Sequence, residues 1–100
     1  MLRIVWEFVA KPECVAEFER HYDSQGTWAL LFRRSPQYRE TVLYRDRKDA
    51  SRYLLIDVWE SHAAFDAFKL ANKSDYEATD KACEALTMRE NCIGYFEDLA

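Results

Sequence analysis

Apolar and polar residues alternate along four stretches of this chain and recur at helical spacing in the segments between them. From Leu2 to Val9, Leu2, Ile4, Trp6 and Phe8 fall on one side and Arg3, Val5, Glu7 and Val9 on the other. That two-residue period is the signature of a strand. Tyr38 to Arg45 reads as a second strand. A short charged link, Asp46 to Ser51, leads into a third, Arg52 to Trp59, so these two form an antiparallel hairpin. The third strand is the most apolar run of the chain. Tyr53, Leu55, Asp57 and Trp59 line one of its sides; Leu54, Ile56 and Val58 line the other. Met88 to Glu97 is the fourth strand, with Cys92, Gly94 and Phe96 on one side and Asn91, Ile93 and Tyr95 on the other. Gly94 inside it marks a bulge or a close backbone approach.

The intervening segments switch to helical spacing. Pro12 suits a first helical turn, where its missing N–H costs nothing, and Val15, Phe18, Glu19 and Tyr22 form the inward stripe of the helix that follows. Gly26 is its stop, and Thr27 caps a shorter helix that turns Trp28, Leu31 and Phe32 inward. Ser61 caps another helix, with Ala64, Phe65 and Phe68 inward. Asn72-Lys73 interrupts it. Ser74 to Glu77 then reads as a capping box for a helix burying Thr79, Ala82, Cys83 and Leu86. The order strand, helix, strand, strand, helix, strand predicts an α+β, ferredoxin-like βαββαβ domain over residues 1–100. Its four-stranded antiparallel sheet carries the helices on one face.

That layout leaves a problem. Both sides of the third strand and the large side of the first are apolar, yet helices cover only one face of the sheet. Leaving three to six such side chains in water costs roughly 1.5–3 kcal/mol each. A homodimer closing through its sheet faces, with a barrel-like shared core, is the expected remedy.

Composition narrows the function. The chain is 49% hydrophobic and 15% aromatic, more rings than a core of this size needs, so some are expected to line a cavity or an interface. A net charge of −4 argues against nucleic acid and against an anionic membrane surface. An RNA-reading sheet would show paired aromatics flanked by basic residues, where the third strand carries aliphatics. No apolar run approaches the ~18 residues of a membrane span. Arg3 interrupts the N-terminus too early for a signal-peptide core, so a cytoplasmic location is expected. Cys14, Cys83 and Cys92 are odd in number and lack a CxxC spacing, which points to reduced thiols rather than disulfides or zinc. His21 and His62 add no metal cluster.

The candidate chemistry starts from Asp57 and Trp59 on one side of the third strand. An acid buried under helices retains its proton towards neutral pH and is a candidate general base; its plain alternative is an ion pair with Arg39. Trp59 is a candidate substrate-stacking wall, or a core ring with its indole N–H on a carbonyl. Tyr22, Trp28, Phe65 and Phe68 project from the helices as a cage for a planar ligand, or as core stripe alone. His21 is a candidate acid or base at the cavity mouth, or a solvated flank residue. Tyr76 is a candidate lid or phenol donor.

Several of these residues also form a recognisable series. It runs from Val9-Ala-Lys11-Pro12 before a helix, through Tyr44-Arg-Asp46 and a charged turn, into Arg52-Tyr-Leu-Leu-Ile-Asp-Val-Trp59-Glu60-Ser61 and then Ala64-Phe65. The series resembles the antibiotic biosynthesis monooxygenase domain family, small dimeric α/β-barrel proteins, along essentially the whole chain. The resemblance implies a pocket between helices and sheet in each subunit, and Trp59 matches the family's strand tryptophan. It implies a cofactor-independent monooxygenase acting on a small aromatic quinol or polyphenol, with no metal or flavin. Other members isomerise small molecules, have no known activity, or degrade heme. The alternatives are therefore a non-catalytic ligand-binding or structural dimer, and a heme-degrading protein. The heme-degrading branch places an iron-ligating histidine on the helix after that tryptophan. Here His62 stands at the helix start, and Phe65, Phe68 and Lys69 occupy the positions that would face a heme.

Overall fold

A computed structural model describes residues 1–99. Four strands, β1 (Leu2–Ala10), β2 (Tyr38–Arg45), β3 (Arg52–Trp59) and β4 (Thr87–Glu97), form one sheet in the order β2-β3-β1-β4. All neighbours are antiparallel. The helices are α1 (Val15–Tyr22), α2 (Thr27–Phe32), α3 (His62–Ala71) and α4 (Lys73–Cys83), with short 3-10 turns at Pro12–Cys14 and Glu84–Leu86. This is the α+β ferredoxin-like arrangement that the alternation predicts. Among the described residues no helix is long and apolar enough to cross a membrane.

Register decides which residues share a face. Leu2, Ile4, Trp6 and Phe8 of β1 stand opposite Trp59, Asp57, Leu55 and Tyr53 of β3. All eight lie under the helices. The large side of β1 is therefore covered within one chain, and the expectation that it needs a partner is corrected. The opposite face carries Val5, Val42, Leu54, Ile56 and Val58, with Tyr44 and Phe96 about half exposed. Glu7 on this face binds Arg52 at 2.7 Å and Arg89 at 3.2 Å. The face is thus apolar in its middle and salt-bridged at both ends of β1, by Glu7 at one and by Arg3, paired with Asp98, at the other.

Three local expectations change. On β4 the pairing with β1 slips between Val5 and Trp6, leaving Ile93 unopposed. This bulge turns Cys92 and Tyr95 to the helix face and Asn91, Gly94 and Phe96 to the other, against simple alternation. Gly94 takes φ 157°, and a Cβ there would lie 3.3 Å from the Phe96 ring. The capping box at Ser74 does not form. The Asn72 main-chain N–H and its side-chain amide both donate to the Phe68 carbonyl, at 2.9 and 3.0 Å. The chain therefore re-enters a helix at once, and Ser74 falls inside its first turn. On that helix Tyr76, Thr79 and Cys83, at i, i+3 and i+7, form the inward stripe, Leu86 is buried from the 3-10 turn that follows, and Ala82 falls outside the stripe and is exposed.

Elsewhere the local signals hold. The Ser61 hydroxyl accepts the Ala64 N–H at 3.1 Å and starts α3. Gly26 lies where a Cβ would approach the Arg20 and His21 carbonyl oxygens to 2.7 Å, so the tight passage from α1 to α2 requires glycine. Gly26, rather than Thr27, is the N-cap of α2.

Candidate functional site

Along the helix face of β3 the side chains run large, small, small, large: Tyr53, Leu55, Asp57, Trp59. Both ends are filled. Trp59 has no exposed surface; Phe32, Tyr38, Phe65 and Phe68 surround it with ring centroids 5.3–5.4 Å away. At the other end Tyr53 packs 4.7 Å from Phe18, and its hydroxyl donates to the Glu19 carboxylate at 2.5 Å. These ends support the helices over the middle of the strand, where the two short residues leave a hollow. It measures about 190 Å³.

Leu55 and Asp57 lie under this hollow. Trp6 and Phe8 flank it from β1, Tyr22, Trp28 and Phe32 from α1 and α2, and Phe65 and Tyr76 from α3 and α4. Asp80 and Glu90 complete the lining. Trp28 meets Tyr76 edge-on at 5.1 Å and Phe32 at 5.7 Å.

Asp57 is 7% exposed. Its Oδ1 accepts a 2.6 Å hydrogen bond from the Thr41 hydroxyl. Thr41 uses its one proton there, so the Tyr38 hydroxyl, 2.7 Å from the same oxygen, donates to Thr41. Burial pushes the carboxyl up to about 7, opposed by the Thr41 bond. The ion pair with Arg39 is absent, because Arg39 binds Glu60 beyond the end of β3. A carboxyl in this state exchanges protons near neutral pH, as a general base requires. The phenols differ. Burial holds Tyr22 well above the usual phenol range and pushes Tyr76 up to about 12, where the charges of Asp80 and Asp57 add to the effect. Both remain neutral donors at physiological pH.

The structure gathers Asp57, Tyr22, Trp28, Phe65 and Tyr76 around one cavity. It places three other candidates elsewhere. Trp59 is enclosed by rings and does not reach the cavity wall. Its indole N–H, like that of Trp28, meets no acceptor in hydrogen-bonding geometry among the described residues, so the carbonyl bond of the core-ring alternative is not found there. Phe68 packs on Trp59 behind Phe65. His21 lies off the cavity, with Nδ1 2.7 Å from the Thr27 hydroxyl and Nε2 4.0 Å from Glu17.

Seven lining or supporting residues are not among the site candidates that the sequence offers: Thr41, Trp6, Phe8, Phe32, Leu55, Asp80 and Glu90. Thr41 becomes visible only through register, which sets it directly across from Asp57. Asp80 and Glu90 look like ordinary surface acids until the fold brings α4 and β4 together.

The family model described as antibiotic biosynthesis monooxygenase matches residues 1–72. Among solved structures, a variant of SnoaB, a cofactor-independent oxygenase from Streptomyces nogalater, is 27% identical. The match covers 99% of this chain and 93% of that one, with a TM-score of 0.82. PA3566 from Pseudomonas aeruginosa shares the fold at 20% identity, covering 99% and 94% of the two chains with a TM-score of 0.72. No curated protein matches the sequence.

Proposed function

This chain belongs to the antibiotic biosynthesis monooxygenase family, and from that premise we propose that it is a cofactor-independent monooxygenase oxidising a small aromatic quinol or polyphenol. One observation carries the reading: a nine-tenths buried carboxyl, Asp57, facing a cavity walled by aromatic rings. Asp57 takes the phenolic proton of the substrate. The phenolate then passes an electron to dioxygen. The radical pair combines at a ring carbon as a hydroperoxide, whose O–O bond breaks to leave one oxygen on the ring as a carbonyl and to release the other as water, the substrate supplying all four electrons. Trp28, Tyr22 and Phe65 hold the ring in place and exclude water, which keeps the developing anion away from competing protonation. Tyr76 donates a hydrogen bond to a substrate oxygen. Trp59 acts behind the wall by packing on Phe65, Phe68 supports Trp59 and the lining ring of Phe32, and His21 fixes the start of α2 through Thr27. The variant of SnoaB, a cofactor-independent oxygenase, supports this reading by its fold and its 27% identity.

A second copy of the chain covers the apolar middle of the other sheet face, around Val5, Leu54, Ile56 and Phe96. Light scattering on the purified protein is expected to give twice the 11.9 kDa chain mass. An Ile56→Lys variant is expected to lower it to one.

The catalytic reading is tested by oxygen uptake across a panel of hydroquinones and catechols. Asp57→Asn is expected to lower kcat/KM by about 10²–10⁴, the usual contribution of a positioned general base. Turnover that survives this substitution unchanged would remove Asp57 from the mechanism.

A further inference from the structure

Every charged group on the cavity wall is an acid. Asp57 lies deep in it; Asp80 from α4 and Glu90 from β4 are exposed at its mouth. No lysine, arginine or histidine is among the lining residues. Neither Asp80 nor Glu90 has a cationic partner among the described residues, although acids elsewhere, such as Glu7, Asp46 and Asp75, are paired with arginines. The two mouth acids also feel each other: burial, and then the charge of Asp80, holds the Glu90 carboxyl above its usual range. Inside, Oδ1 of Asp57 takes the Thr41 bond, and no protein donor among the described residues reaches Oδ2. On a nine-tenths buried carboxyl in a cavity wall, an oxygen without a protein donor leaves that place to a ligand.

Size adds a second limit. An apolar cavity of about 150 Å³ accommodates benzene, whereas drug-sized pockets run to roughly 300–1,000 Å³. At about 190 Å³ the space behind the mouth takes one ring or two fused rings.

We propose that the cavity selects a one- or two-ring aromatic that is uncharged or carries an ammonium group, and that Asp80 and Glu90 exclude anionic aromatics. The proposal rests on the reading of this cavity as the substrate site, and it sharpens that reading to a charge class. A ligand ammonium at the mouth relieves the repulsion between the two acids, and the faces of Trp28 and Tyr76 offer it cation–π contact. A ligand carboxylate there meets two like charges across a partly desolvated opening, where each pair costs far more than in bulk water. It finds no cation to offset them.

The test is calorimetric titration of the whole protein under nitrogen, so that binding is read without turnover. Three probes share one catechol ring: 4-methylcatechol, dopamine and 3,4-dihydroxyphenylacetate. Dopamine and 4-methylcatechol are expected to bind about tenfold or more tightly than the acid. In Asp80→Asn/Glu90→Gln the gap is expected to close to within about threefold as the like-charge cost disappears. Equal or tighter binding of the acid, binding of none of the three, or a gap that survives the double substitution would overturn the proposal. Oxygen uptake separates its fate from that of the catalytic reading. A preserved charge order without uptake leaves the binding class standing and removes the oxygenase. Uptake with the acid as efficient as with the amine does the reverse.

Discussion

Trp28 and Trp59 are both buried, and neither indole N–H has an acceptor in hydrogen-bonding geometry among the described residues. Their surroundings nevertheless differ in the respect that matters for function. Around Trp59 four rings close at 5.3–5.4 Å and leave no space. Trp28 borders a hollow of about 190 Å³. The difference arises in the strand beneath them rather than in the rings. Trp59 fills its own place on β3, while Trp28 projects over Leu55 and Asp57, which are too short to meet it. Aromatic content therefore builds either a wall or a plug, and the small residues opposite decide which.

The largest expected effect that tests this contrast is on stability. Trp59→Ala is expected to cost about 3–5 kcal/mol in urea unfolding, since it opens a cavity in a filled cluster. Trp28→Ala is expected to cost clearly less, because part of its surface already faces empty volume, while abolishing binding of a catechol probe. Equal losses of stability in the two variants would break the contrast.

The next effect concerns what sits in the hollow. The folded-state value of Asp57, about 7, lies above its ordinary 3.8. Between those values the folded protein holds a proton that the unfolded chain has lost. The stability this proton confers is complete below the lower value and disappears as pH rises through 7. At about 1.36 kcal/mol per pH unit, the whole gap corresponds to roughly 4 kcal/mol. Between pH 5 and pH 8 the protein is expected to lose roughly 2–3 kcal/mol from this group. Asp57→Asn removes the titrating proton and is expected to flatten that part of the profile. Unfolding curves at the two pH values for both proteins measure it, and an unchanged slope in the variant would assign the dependence elsewhere.

A smaller effect is expected one residue further out. Thr41→Val keeps the shape of the side chain but removes the donor that favours the charged form of Asp57. A cost of about 1–3 kcal/mol is expected from the unsatisfied acceptor. The carboxyl is expected to rise further, moving the acid limb of the pH–rate profile towards alkaline pH. A profile left in place would mean that Thr41 holds only the fold.

The strands β2 and β3 were legible to the residue, because alternation and a charged turn act over a few neighbours. The site was legible in part. Asp57 stood out as an acid in the most apolar run, Tyr22, Trp28 and Phe65 as inward rings on helices, and Tyr76 only as a lid or phenol donor outside the expected inward stripe of its helix. Trp59 was equally conspicuous by type, yet whether a buried ring faces space or other rings depends on four residues scattered from Phe32 to Phe68. Asp80 and Glu90 carried no local signal, since exposed acids on a helix and a strand are common and only their convergence gives them meaning. The bulge at Ile93 also escaped alternation, because the slip is defined by the partner strand.

The sequence alone determined the element order, the helix face of β3 and the acid placed within it, since these follow from short-range periodicity and turn chemistry; which face of β1 the helices cover was decided by register. Tertiary structure alone decided where the hollow lies, that Thr41 rather than Arg39 meets Asp57, and that the mouth is acidic. Those features depend on which side chains meet across strands and helices distant in the chain, and a missing contact leaves no mark on local pattern.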